Sequence, residues 1–166
     1  MIKVGSRTWS LLILPTIICL FVGWTWEVDQ PIHYSHQVHV LELELECADC
    51  HVNAETRARA VIPNIELCAN CHVDTEDEDL EARQVAIYAE QGKRIPWSQV
   101  HSVPDYAYFS HRRHVKLGEI QCEHCHGEVS EMQDPFTEPY LSMDMEWCME
   151  CHEQRGVSND CYACHR

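Results

Sequence analysis

One stretch stands apart from the rest of the chain. Residues Trp9 to Trp26 read WSLLILPTIICLFVGWTW and carry no charge. Such a run is near the lower limit of about 18 residues for a helix that crosses a bilayer. Lys3 and Arg7 precede it, while Glu27 and Asp29 follow. Positive charge stays cytoplasmic, so the remainder is expected on the exported side. Trp9, Trp24 and Trp26 fall where interfacial aromatics belong. A cleaved leader needs small residues before its cleavage site, and no A-x-A pattern is present. Ile17 and Ile18 are poor neighbours for lipidation of Cys19. Pro15 in mid-span asks for support from neighbouring helices. Beyond this anchor the strongest periodic signal is in VDTEDEDLEARQVAIYAEQGKRIPW, where helical spacing around Leu80 and Ile87 predicts a helix over 76–91, closed by Gly92. The acidic run at its start is the kind of solvated first turn that the helix dipole favours. Elsewhere the expectation is short α-helices joined by irregular loops.

Composition changes this picture. The 166 residues include 11 Cys and 12 His, far more than a domain of this length needs for packing. The formal charge is −15, which argues against nucleic acid as a partner and favours basic proteins. An acidic, solvated surface accounts for that charge equally well.

Spacing settles what the cysteines are for. Ten of them form five C-x-x-C-H motifs: Cys47-Cys50-His51, Cys68-Cys71-His72, Cys122-Cys125-His126, Cys148-Cys151-His152 and Cys161-Cys164-His165. This spacing attaches c-type haem: the two thiols form thioethers and the adjacent histidine binds iron as proximal ligand. Zinc ribbons also use paired C-x-x-C, but zinc does not require a histidine after every second cysteine. Four pairs make two ribbons and a fifth is left over. Five covalent haems c are therefore expected, attached outside the cytoplasm.

The chain also repeats. Tyr34 to His51, YSHQVHVLELELECADCH, aligns without a gap on Phe109 to His126, FSHRRHVKLGEIQCEHCH, at an offset of 75 residues and with eight identities. Each copy is an aromatic residue, Ser, His-x-x-His, seven residues, then C-x-x-C-H. Histidines at i and i+3 share one side of a helical turn and can reach two haems lying against it. Low-spin carriers need a sixth ligand on every iron. The repeat selects His36, His39, His111 and His114 as distal ligands, and His101 is the fifth choice, with the pairing of ligand to iron undetermined. His33 has Tyr108 at the equivalent position, and His124 lies inside a C-x-x-C. A surface or propionate-bonding role suits these two better. Met143, Met145 or Met149 stays open as a substitute for one histidine, which would raise that haem's potential. The expected organisation is an anchor over 1–29, a dihaem module over 30–73, a helical linker over 74–100 and a trihaem module over 101–166.

The stretches RIPWSQVHSVPDYAYFSHRRHV, CEHCHGEVSEM and LSMDMEWCMECH resemble the membrane-anchored pentahaem cytochrome c subunit of alternative complex III, a bacterial quinol-oxidising assembly. A related multihaem subunit occurs in menaquinone reductase complexes. The resemblance covers about residues 30–166. It implies short helices and long loops wrapped round haems, and a single-pass protein of the bacterial inner membrane with its haem domain in the periplasm. It also implies iron–sulfur and quinol-binding subunits as neighbours, a downstream electron acceptor, and support for His101 through the shared VH. The expected role is electron transfer in a quinol-oxidising respiratory or photosynthetic complex rather than catalysis by this chain. A stand-alone membrane quinol dehydrogenase, and a wire to a photosynthetic or extracellular acceptor, are the alternatives. A multihaem reductase would need an iron with an open site, and here distal histidines suffice for all five irons.

Overall fold

The computed structural model describes residues 27–165. The expected anchor lies outside them, and among the described residues no helix is long and apolar enough to cross a membrane. The chain forms short helices separated by loops: α1 Cys47–Cys50, α2 Ile65–Cys68, α3 Leu80–Glu90, α4 Glu123–His126, α5 Met145–Gln154 and α6 Cys161–Cys164. Two π-helical turns, Val38–Glu42 and Arg112–Leu117, and a 3-10 turn, Val129–Glu131, complete the set. The pairing of Ala107 with His165 is an isolated bridge.

Helix α3 is the linker helix, but it starts after the expected 76. The acids ahead of it bond locally instead: Asp74 accepts from the Glu76 N–H and Asp77 from the Asp79 N–H. Such side-chain turns compete with helical backbone bonding. Asp79 then caps α3, accepting from Glu81 and Ala82 N–H groups. Gly92, at φ 61°, closes the far end. Val85 on α3 packs with Ile32 and Ile65, flanked by Tyr88, Ile95 and Trp97.

That small cluster is nearly the whole apolar core. Among the described residues the buried apolar side chains are Ile32, Ile65, Val85 and Ala86. Leu41 is 53% exposed, Leu43 59% and Val52 55%. A chain this size ordinarily buries most of its large apolar side chains. Here these exposed apolar side chains lie close in sequence to the Cys47–His51 motif.

The two repeats are folded alike. In each, a backbone bond spans five residues at the end of the π turn, from Leu43 N–H to Val38 O (3.0 Å) and from Gly118 N–H to Arg113 O (2.9 Å). Glu44 and Glu119, equivalent at the offset of 75, both take left-handed φ, 56° and 52°. This conformation is uncommon for glutamate. Its recurrence marks one local structure used twice.

The repeats also hold each other. Arg112 N–H donates to Arg57 O at 3.0 Å, and Gln37 N–H donates to Met132 O at 2.9 Å. Residues 37 and 112, and 57 and 132, are equivalent at the same offset. Each His-x-x-His segment therefore docks on the segment that follows the other repeat's C-x-x-C-H. This is the reciprocal pattern of a two-fold interface, built within one chain.

Candidate haem-binding site

The cysteines of all five motifs are free thiols here, standing for the thioether sulfurs of the attached form. Each motif lies on or beside a short helix: α1 and α6 span both cysteines of theirs, α5 holds the whole of Cys148–His152, α2 ends at Cys68 and α4 starts just after Cys122. The His51, His126 and His165 N–H groups donate to the carbonyls of Cys47, Cys122 and Cys161, and His72 N–H to that of Cys68. Among the described residues no three His, Cys, Asp or Glu side chains converge on a metal-ion site. The histidines meet in twos instead.

Three of these pairs share one ring separation. The rings of His39 and His72 are 6.2 Å apart, those of His114 and His152 6.0 Å, and those of His111 and His126 6.5 Å and nearly parallel at 3°. Two imidazoles on opposite sides of a metal, each bonded at about 2 Å, have ring centres about 6 Å apart. Each pair joins a histidine of a His-x-x-His to a histidine of a C-x-x-C-H. His36 is at the position of the first repeat equivalent to His111 of the second, and His51 and His39 act on it electrostatically.

Second-layer contacts orient these rings. The Nδ1 of His39 lies 2.8 Å from Ser35 O, and that of His114 2.8 Å from Ser110 O. His51 Nδ1 lies 3.0 Å from Val61 O, His152 Nδ1 2.9 Å from Ser158 O, and His165 Nδ1 3.2 Å from Tyr106 O. In the Nδ1–H tautomer each donates to its carbonyl and leaves Nε2 free for a metal. His111 Nδ1 is 3.2 Å from both Ala58 O and the Ala60 N–H. The first contact suits the metal-binding tautomer. Tyr34 stacks on His39 (4.4 Å) and meets His36 edge-on (4.8 Å); Phe109 stacks on His114 (4.5 Å) and meets His111 edge-on (4.8 Å). The aromatic residue thus fixes both rings of each His-x-x-His.

Burial disfavours the charged form of four of the rings, His36, His101, His111 and His126. The pKa of His36 falls to about 4, first from burial and then from His51 and His39. That of His126 falls to about 4, from burial and then from His101, His111 and His51. His101 and His111 are also lowered, chiefly by burial. Neutral imidazole is the form that ligates. His36 Nδ1 and His101 Nε2 are buried with no hydrogen-bond partner. Orphaned buried nitrogens are costly in an apo chain and are satisfied by a ligated metal in the case of Nε2.

His101 does not fall into the same scheme. Its ring meets His126 edge-on at 4.8 Å and Phe136 at 4.6 Å. It borders a cavity of about 290 Å³ that Met143 and Asp144 also line. The ring contact of His165 is with Tyr106, at 5.8 Å. His33 is a surface residue, 3.4 Å from Asp134, as its lack of a repeat partner suggested. His124 lies 6.3 Å from the Trp147 ring. The pairing of ligands, the role of Tyr34 and Phe109, and the carbonyls of Ser35 and Ser110 were not read from the sequence. The shared aromatic-Ser-His string of the repeat was the signal for the last two.

Residues 107–166 match the family model described as cytochrome c7 and related cytochrome c. The chain is 32% identical over 182 aligned positions to the menaquinone reductase multihaem cytochrome c subunit of Nitratidesulfovibrio vulgaris, covering 90% of this chain and 86% of that protein. With five haem-attachment motifs, a sparse apolar core and histidines paired at axial-ligand separation, the chain belongs to the multihaem cytochrome c family.

Proposed function

We propose that this chain is a membrane-anchored pentahaem cytochrome c that passes electrons within a quinone-active complex of the bacterial inner membrane. The observation that carries it is the set of three histidine pairs at 6.0–6.5 Å. With haem attached, each pair would offer an iron two imidazole ligands, an arrangement that suits electron transfer. The haem supplies one-electron chemistry. The chain holds it covalently, sets the ligand field and screens it from water. His51, His72, His126, His152 and His165 would serve as proximal ligands and His36, His39, His111 and His114 as distal ones, with His101, whose ring meets His126, the candidate for the remaining distal position.

The anchor over 1–29, the modules over 30–73 and 101–166, and the linker over 74–100 are part of this reading, with the haem domain in the periplasm. Iron–sulfur and quinone-binding subunits are the expected neighbours. The first direction of flow considered is quinol oxidation, as in alternative complex III. A second is electron delivery to menaquinone, favoured by the relative in N. vulgaris. Gentle solubilisation of native membranes should yield the cytochrome together with those subunits. Adding reduced or oxidised quinone analogue to the fully oxidised or reduced complex then gives the direction. A lone monomer that itself oxidises quinol would contradict the subunit reading.

A further inference from the structure

Five attachment sites can be arranged in space in many ways, and their order along the chain need not be their order in space. We infer that they form one unbranched row in the order second, first, third, fourth, fifth, with the pseudo-two-fold junction between the first and third. This deepens the reading above and rests on its haem assignment.

The first and second sites share the Tyr34 His-x-x-His. His39 faces His72 of the second site, and His36 neighbours His51 of the first. The Cys50 thiol, raised by burial, is close enough to Cys68 of the second site to feel it electrostatically. The third and fourth sites share the Phe109 His-x-x-His in the same way. His111 faces His126 and His114 faces His152. Cys125, raised by burial, neighbours Cys151 and Cys148.

The two halves meet through the first and third sites. Arg112 and His111 N–H groups donate to Arg57 and Ala58 carbonyls, just beyond the first site, and Gln37 docks reciprocally beyond the third. The fifth site attaches beyond the fourth. Asn159 donates to Met149 O within the fourth motif at 3.0 Å, and Cys148 has Cys164 as a neighbour. Tyr108 N–H donates to Cys164 O.

The row therefore inverts the chain order at its start, because the two halves meet through the first motif of each. The ends are the second and fifth sites. Around the second, Val73 is 73% exposed and leads into the Asp74–Asp79 acidic run; around the fifth, Tyr162 is 84% exposed.

Iron-edge anomalous diffraction from crystals of the five-haem protein tests the order, with each iron assigned by its attached cysteines. The expected result is four nearest-neighbour contacts: second–first, first–third, third–fourth and fourth–fifth. A second site nearest the third, a first site at one end, or a branch would overturn it. A haem count below five, or absence of quinone-complex partners, would instead count against the functional reading, so the two failures are distinguishable.

Discussion

The two 18-residue repeats have the same ring stacking, the same Ser carbonyl on the second histidine and the same left-handed glutamate, yet their surroundings differ. In the first repeat the proximal His51 is held by Val61 O, and α1 begins with the Asp49 carboxylate accepting from the Glu46 N–H at 2.8 Å. In the second, His126 is enclosed by His101 and His111, and α4 runs into Gly127 at φ 74°. The contrast separates two jobs. The shared features place rings relative to a pair of haems. The divergent ones place each pair in the molecule: the first leads to the linker and a chain end of the row, the second to a third site packed on its far side.

The largest expected effect breaks the junction rather than an end. Replacing Cys122 and Cys125 by Ser removes the third site, where the halves meet. Folded yield should fall by more than about tenfold, because a small domain has little stability to lose. The same change at Cys161 and Cys164 removes an end and should leave a four-haem protein at near-normal yield, measured by haem absorbance and intact mass. Equal losses at both would show that the junction is not special.

The next probe sharpens the likeness. His39→Met and His114→Met each place a thioether where a repeat-equivalent imidazole faces a proximal histidine. Each should raise one potential by about a tenth of a volt, within the roughly 0.8 V that axial ligation spans, as read by spectroelectrochemical titration. A shift in one variant alone would break the equivalence of the repeats.

Gly127 and its counterpart Val52 test the divergence. A Cβ at Gly127 would sit 2.6 Å from the Tyr140 ring, on a backbone at φ 74°. Gly127→Ala should therefore cost about 2 kcal/mol, seen as a lower Tm. Val52→Ala, at a half-exposed site of ordinary backbone, should cost about 0.5 kcal/mol. The smallest effect concerns Lys116 and Glu55, which lie 3.5 Å apart across the two halves and are both largely exposed. Lys116→Ala should change stability by no more than about 0.5 kcal/mol, with the difference vanishing at high salt.

Much of this was legible in the residues. Motif spacing marks the candidate attachment sites, and the gapless repeat singles out His36, His39, His111 and His114, of which the fold brings His39, His111 and His114 within 6.0–6.5 Å of a C-x-x-C-H histidine. The linker helix was visible but its start was misplaced, since the competition of Asp74 and Asp77 for backbone N–H groups is a local geometric matter that composition does not reveal. The reciprocal docking of Gln37 and Arg112 was invisible because backbone hydrogen bonds leave no residue-type signature. His101 was chosen by its place in the string. Its edge-on contact with His126 depends on how loop 98–108 folds back, which no periodicity encodes.

The central claim is that this chain is a five-haem protein. A pyridine haemochrome assay on purified protein, scaled to protein mass, tests it most directly. The account predicts five haems per chain, all low-spin in the oxidised state. Four or fewer would contradict it.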